Sequence, residues 1–156
     1  MERLTVVLMA PGPINLGEWH RELREAGFDL ILDPTLPMYD DPRSVPVEVC
    51  GHNAVIEFEL APASDRASWF PLEMLRVRKP TWVALFEWRE SEPFERAAAV
   101  AAAAALAKVY AGVIFDTDGL RSELPVATYR RARELFSSLP IRPRQAEPDA
   151  AADGEV

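Results

Sequence analysis

Two carboxylates placed two residues apart at the end of a hydrophobic run are the first candidates for chemistry in this chain. Asp116 and Asp118 lie in the turn Asp116-Thr117-Asp118-Gly119, directly after Val113, Ile114 and Phe115. At the C-terminal end of a strand such a pair can divide the labour of phosphoryl transfer: one carboxylate attacks phosphorus, the other handles the leaving-group proton, and magnesium holds the phosphate. The same residues also read as an Asp-rich turn at the exit from a structural strand, where Asp side chains bond to their own backbone. Cys50 and His52 suggest a Cys-His nucleophile pair or a metal site, but no third ligand is spaced to complete a zinc tetrahedron. A lone Cys reads more simply as a small buried hydrophobe, and His20 as a boundary residue of the first helix. No P-loop, dinucleotide glycine fingerprint, GxSxG or HExxH is present, so no metal and no cofactor are expected.

The run VIFDTDG resembles the first motif of the haloacid-dehalogenase-like phosphohydrolases. That resemblance implies Asp116 as nucleophile, Asp118 as acid-base partner, and magnesium. Four features depart from the family pattern. The strand begins at Val113 instead of opening the domain, Leu120 stands where Thr is expected, the only lysines (Lys79 and Lys108) lie upstream, and no paired-Asp metal motif follows. The departures favour the structural reading.

Acidic side chains supply the other candidate surface. Glu57 and Glu59 share one face of an alternating strand, Asp40 and Asp41 lie in a proline-rich stretch, and Glu87, Glu90 and Glu92 end a later strand, with Trp19, Trp69, Trp82 and Trp88 as aromatic anchors. The expected partner-binding set is Asp40, Asp41, Glu57, Glu59, Glu87 and Trp88. Acidic patches steer basic partners and interfaces use Trp heavily. The plainer reading of each residue is a solvated carboxylate or a core Trp. Formal net charge is -8 over 156 residues, which argues against nucleic acid, whose binders need a basic stripe. The single cysteine allows no intrachain disulfide, and a reducing, cytoplasmic setting is the expectation.

The elements that must position these residues follow from periodicity. Leu4 to Ala10 reads as a first strand broken by Pro11, Gly12 and Pro13, not as a signal peptide, and no run approaches membrane-spanning length. Asn15 can cap a helix carrying Leu16, Trp19 and Leu23 on one face, with Glu18 completing a capping box and Gly27 ending it. Phe28 to Leu32 is a short strand, Asp33 to Pro46 an irregular excursion, and Ala54 to Leu60 a strand with one face on the core. A short helix or turn is expected near Ser68 to Leu75, then a strand from Thr81 to Arg89. Pro93 opens an alanine-rich helix stopped by Gly112, Val113 to Phe115 forms a strand, and a last helix covers roughly Ala127 to Ser138. This order predicts an α+β fold: one mixed or antiparallel sheet with helices on one face, a ferredoxin-like variant. Residues 1–140 form one domain, and 141–156 a disordered acidic tail.

The alanine-rich helix running into AGVIFDTDG is similar to a segment of small bacterial immunity-type and uncharacterised α+β domains. In those domains an AAxALA helix leads to a Gly-Gly-Val-hydrophobic-Asp-Pro strand and turn; here Ala111 replaces the first Gly and Thr117 the Pro. The resemblance implies a non-catalytic protein that neutralises a toxin by binding it, with the acidic surface turned to a basic toxin domain. The alternatives are a magnesium-dependent phosphotransfer enzyme using Asp116 and Asp118, and a homo-oligomeric scaffold, a homodimer in its simplest form.

Overall fold

The computed structural model describes residues 2–9, 14–32, 43–66, 80–116 and 121–140. Among them, seven strands form one sheet: β1 (Glu2–Leu8), β2 (Leu30–Leu32), β3 (Arg43–Val49), β4 (His52–Pro62), β5 (Trp82–Trp88), β6 (Val113–Phe115) and β7 (Ser122–Glu123). The spatial order is β2-β3-β4-β5-β1-β6-β7, and every neighbouring pair is antiparallel. Helix α1 (Leu16–Glu25) follows β1, α2 (Pro93–Val109) joins β5 to β6, and α3 (Pro125–Ser137) follows β7. The inner set β4-β5-β1-β6, with a helix after β1 and another between β5 and β6, is the ferredoxin-like arrangement. Strands β2 and β3 extend it at one edge and β7 at the other.

Alternation within strands decides which face meets the helices. Leu4, Val6 and Leu8 of β1, Ile56, Phe58 and Leu60 of β4, and Ala84, Phe86 and Trp88 of β5 join the core shared with the helices. The opposite face carries a smaller buried group of Val7, Ala63, Val83, Val113 and Phe115. Because both faces are buried near β1 and β5, their sequences read as nearly continuous apolar runs.

Helix α1 begins as expected: Asn15 Oδ1 accepts a hydrogen bond from the Glu18 N–H at 3.0 Å. It ends on Gly27, whose φ of 90° suits glycine, and the Phe28 N–H closes back on Leu23 O at 3.1 Å. Helix α2 is buried on every side from Ala97 to Ala107, between the sheet, α1 and α3. The methyl side chains permit that close packing. A fixed point of the assembly is Trp19, whose indole N–H reaches Ala102 O at 2.9 Å while its ring meets Phe86 edge-on at 6.0 Å.

Three sequence expectations need correction. Residues 43–46 are not irregular, because Arg43–Val49 pairs along β4 from Arg43↔Phe58 to Val49↔His52. Pro46 lies in register with Val55 of β4, and the described β2–β3 ladder reaches only Leu32↔Val47, so no described residue of β2 asks Pro46 for a backbone donor. The stop of α2 is not Gly112 but Ala111, which takes the left-handed conformation at φ 54°, with the Gly112 N–H bonded to Ala107 O at 2.8 Å. Glycine is needed at 112 for a different reason: a Cβ there would lie 2.8 Å from Leu8 Cδ2 and 2.9 Å from Val7 O. Finally, α3 starts at Pro125, two residues before the expected Ala127, after the unforeseen strand β7. The expected helix near 68–75 and the tail 141–156 lie outside the described residues.

Candidate functional site

Of the expected partner-binding residues, the structure brings Glu57 and Glu87 together. They are directly paired across β4 and β5, on the sheet face away from the helices. The Ser44 hydroxyl donates to Glu57 at 2.7 Å, and neither carboxylate joins an ion pair among the described residues. Like charges in direct cross-strand register repel, while Arg3 stands in register with Glu87 on its other side, on β1, so the rung reads Glu57–Glu87–Arg3.

Glu59 and Trp88 are placed differently. Glu59 is 8% exposed and receives two hydrogen bonds from the Arg66 guanidinium, at 3.1 and 2.8 Å, which neutralise it. Trp88 is 4% exposed, packs in the main core, and donates its indole N–H to Glu2 at 2.9 Å. Trp19 is likewise a core residue. Asp40, Asp41 and Trp69 lie outside the described residues.

The pair of glutamates opens into a notch that periodicity could not show. Strand β4 is paired with β3 from His52 onward, whereas its ladder with β5 begins only at Glu57↔Glu87. Beyond Trp88 the chain turns through Arg89 to Glu92 and enters α2, with the Glu92 N–H on Arg89 O at 3.1 Å. The turn is held by Arg89, whose guanidinium grips the buried Glu95 carboxylate at two points and reaches Glu92 at 3.4 Å. Glu95 sits in the first turn of α2, where the helix dipole favours its charge. Between turn and hairpin lies a concavity of ≈ 320 Å³, walled by Asn53, Ala54 and Val55 on one side and by Arg89, Glu92 and Phe94 on the other. A smaller one of ≈ 170 Å³ adjoins it and reaches Glu57 and Glu87. The His52 ring stacks on Phe94 with centroids 4.5 Å apart, joining the hairpin to α2.

Cys50 and His52 do not form a dyad of activated groups. Cys50 and Gly51 are the two positive-φ residues of the tight β3–β4 turn, at 50° and 82°. Burial, reinforced by the Asp29 carboxylate, pushes the Cys50 thiol above its ordinary pKa, the opposite of what a nucleophilic thiolate requires. Asp116 closes β6: its N–H bonds to Arg121 O at 3.2 Å, and its carboxylate lies 3.4 Å from the Arg121 N–H. Asp118 lies outside the described residues, and among the described residues no group of three His, Cys, Asp or Glu side chains is placed to hold a metal ion. No described helix is long and apolar enough to cross a membrane. Compared with models of known protein families, with curated proteins and with solved structures, the chain matches none.

Proposed function

We propose that the chain is a non-catalytic protein-binding module, an immunity protein that neutralises a basic toxin domain through its acidic surface. The observation that supports this reading is the Glu57–Glu87 rung: two carboxylates in direct register without an ion pair, beside an open notch. The two carboxylates repel each other, and a cationic side chain of a partner laid against Glu57 would relieve the repulsion. The similarity of the α2–β6 segment to bacterial immunity-type domains supports the same reading. In the enzyme alternative, Asp116 would be the nucleophile; here its carboxylate lies against the backbone of Arg121, as a turn requires.

Co-expression with the product of the adjacent reading frame tests the proposal. The wild-type chain and Asp116→Asn should both protect the host from that product, and Glu57→Lys/Glu87→Lys should not. Loss of function in Asp116→Asn alone would favour the phosphotransfer reading, and absence of any protection would remove the immunity reading.

A further inference from the structure

We infer that the notch beyond β5 receives an extended segment of the protein partner, which adds to the open edge of β4 as a short strand and lays an Arg or Lys against Glu57 and Glu87. The inference rests on the acidic-surface reading and gives it a place and a geometry.

The open edge is a matter of strand length. From His52 to Ile56, β4 has β3 on one side and, among the described residues, no strand on the other, because β5 has already turned away. Successive residues of a strand direct backbone groups alternately to its two sides, so a stretch this long leaves donors and acceptors facing the notch. Unpaired edges of this kind are templates for an added strand, with main-chain bonds giving affinity and alternate side chains giving specificity. The stretch is open along its outer face: Val55 is 41% exposed and Asn53 is exposed, while Ile56 turns into the core and the His52 ring rests on Phe94. The turn at Arg89–Glu92 closes one wall, so a guest strand would run in line with β5.

Charge selects the guest. Val55 and Glu57 point to the same sheet face, so guest side chains two residues apart on that face meet an apolar surface and then the Glu57–Glu87 pair. Glu92 borders the other wall, and Glu48 lies opposite Asn53 on β3. Among the described residues the cation lining the notch is Arg89, already engaged by Glu92 and Glu95, and Arg3 stands on the far side of Glu87, on β1. The site therefore favours a segment with a basic residue and, two positions away, an apolar one, and it disfavours an acidic segment.

The test uses the full chain and a blocked octapeptide, TRTVTRTV, with TETVTETV as its control. Amide resonances of 52–56 and 89–92 should shift on adding the basic peptide, alternate amides of 52–56 should exchange more slowly with solvent, and the acidic peptide should do neither. Val55→Lys and Glu57→Gln/Glu87→Gln should each weaken the basic peptide by roughly fivefold or more. All three positions lie on the exposed or half-exposed surface, and a thermal melt of each variant verifies the fold. No shift at 52–56 at millimolar peptide, or equal binding of the acidic peptide, would overturn the inference. If host protection depends on Glu57 and Glu87 while the β4 edge stays unshifted, the notch falls and the acidic-surface reading stands. If the edge binds the basic peptide and no protection is seen, the notch stands and the immunity reading falls.

Discussion

Glu57 and Glu87 form a rung of like charge whose energetics can be measured directly. Cross-strand pairs contribute a few tenths of a kcal/mol to about 1 kcal/mol, and like charges reverse the sign. Glu57→Gln keeps the acceptor for the Ser44 hydroxyl and removes the repulsion, so it should stabilise the free chain by about 0.5 kcal/mol, read by urea denaturation. A loss of stability would show that Glu57 is already satisfied in the free protein. His20 makes a second prediction. Its Nε2 is buried without a hydrogen-bond partner, and burial, aided by the Arg24 charge, lowers its pKa below the ordinary imidazole value. The folded state thus resists a proton that the unfolded chain accepts: the stability contribution is complete above about pH 6.5 and is lost as pH falls through the lower folded value. Melting temperature should fall more steeply between about pH 7 and pH 5 in the wild-type chain than in His20→Gln; parallel curves would contradict this. Tyr129 works the other way. Burial and the Glu22 carboxylate raise its pKa, so it stays a donor to Glu22 at 2.6 Å and ties α3 to α1.

The ends of the helices carry the clearest lesson at the scale of elements. Both α1 and α2 close with the N–H of the second residue past the cap bonded three residues back from it into the helix, but α1 uses Gly27 at the left-handed position and α2 uses Ala111. A left-handed alanine costs about 1 kcal/mol, so Ala111→Gly should stabilise the chain by about that amount. Gly112→Ala should destabilise it by about 2 kcal/mol or more, since the new Cβ would press on the Val7 carbonyl. Paired melts decide this; a lower melting temperature in Ala111→Gly, or an unchanged one in Gly112→Ala, would contradict the assignment. Elements with strong local signals were legible: the Asn15 cap, the alternation of β4 and the alanine helix are each written in a few adjacent residues. Strand β3 was hidden by Pro46, which argues against a strand until the ladder to β4 is seen to run through it at Pro46↔Val55. Nor could sequence separate Trp88 from the surface or find Arg66 for Glu59, because both depend on which layer covers each sheet face. The notch was equally invisible, being the difference between where two ladders end.

At the scale of the whole molecule, the ferredoxin-like core and its additions have different tasks. The inner strands pack one face on the helices, and the alanine helix α2 is the tight centre of that layer. The extra β2–β3 edge carries β4 beyond β5 and so creates the open notch, leaving the acidic rung at its inner end. A stable core with one open, negatively charged margin suits recognition of a basic protein surface. Calorimetric titration of the chain with the product of the adjacent reading frame, at about 50 and about 300 mM salt, tests that claim most directly. The account predicts an affinity that weakens roughly tenfold or more across that range and is lost in Glu57→Lys/Glu87→Lys. Binding indifferent to salt and to both charge reversals would contradict it.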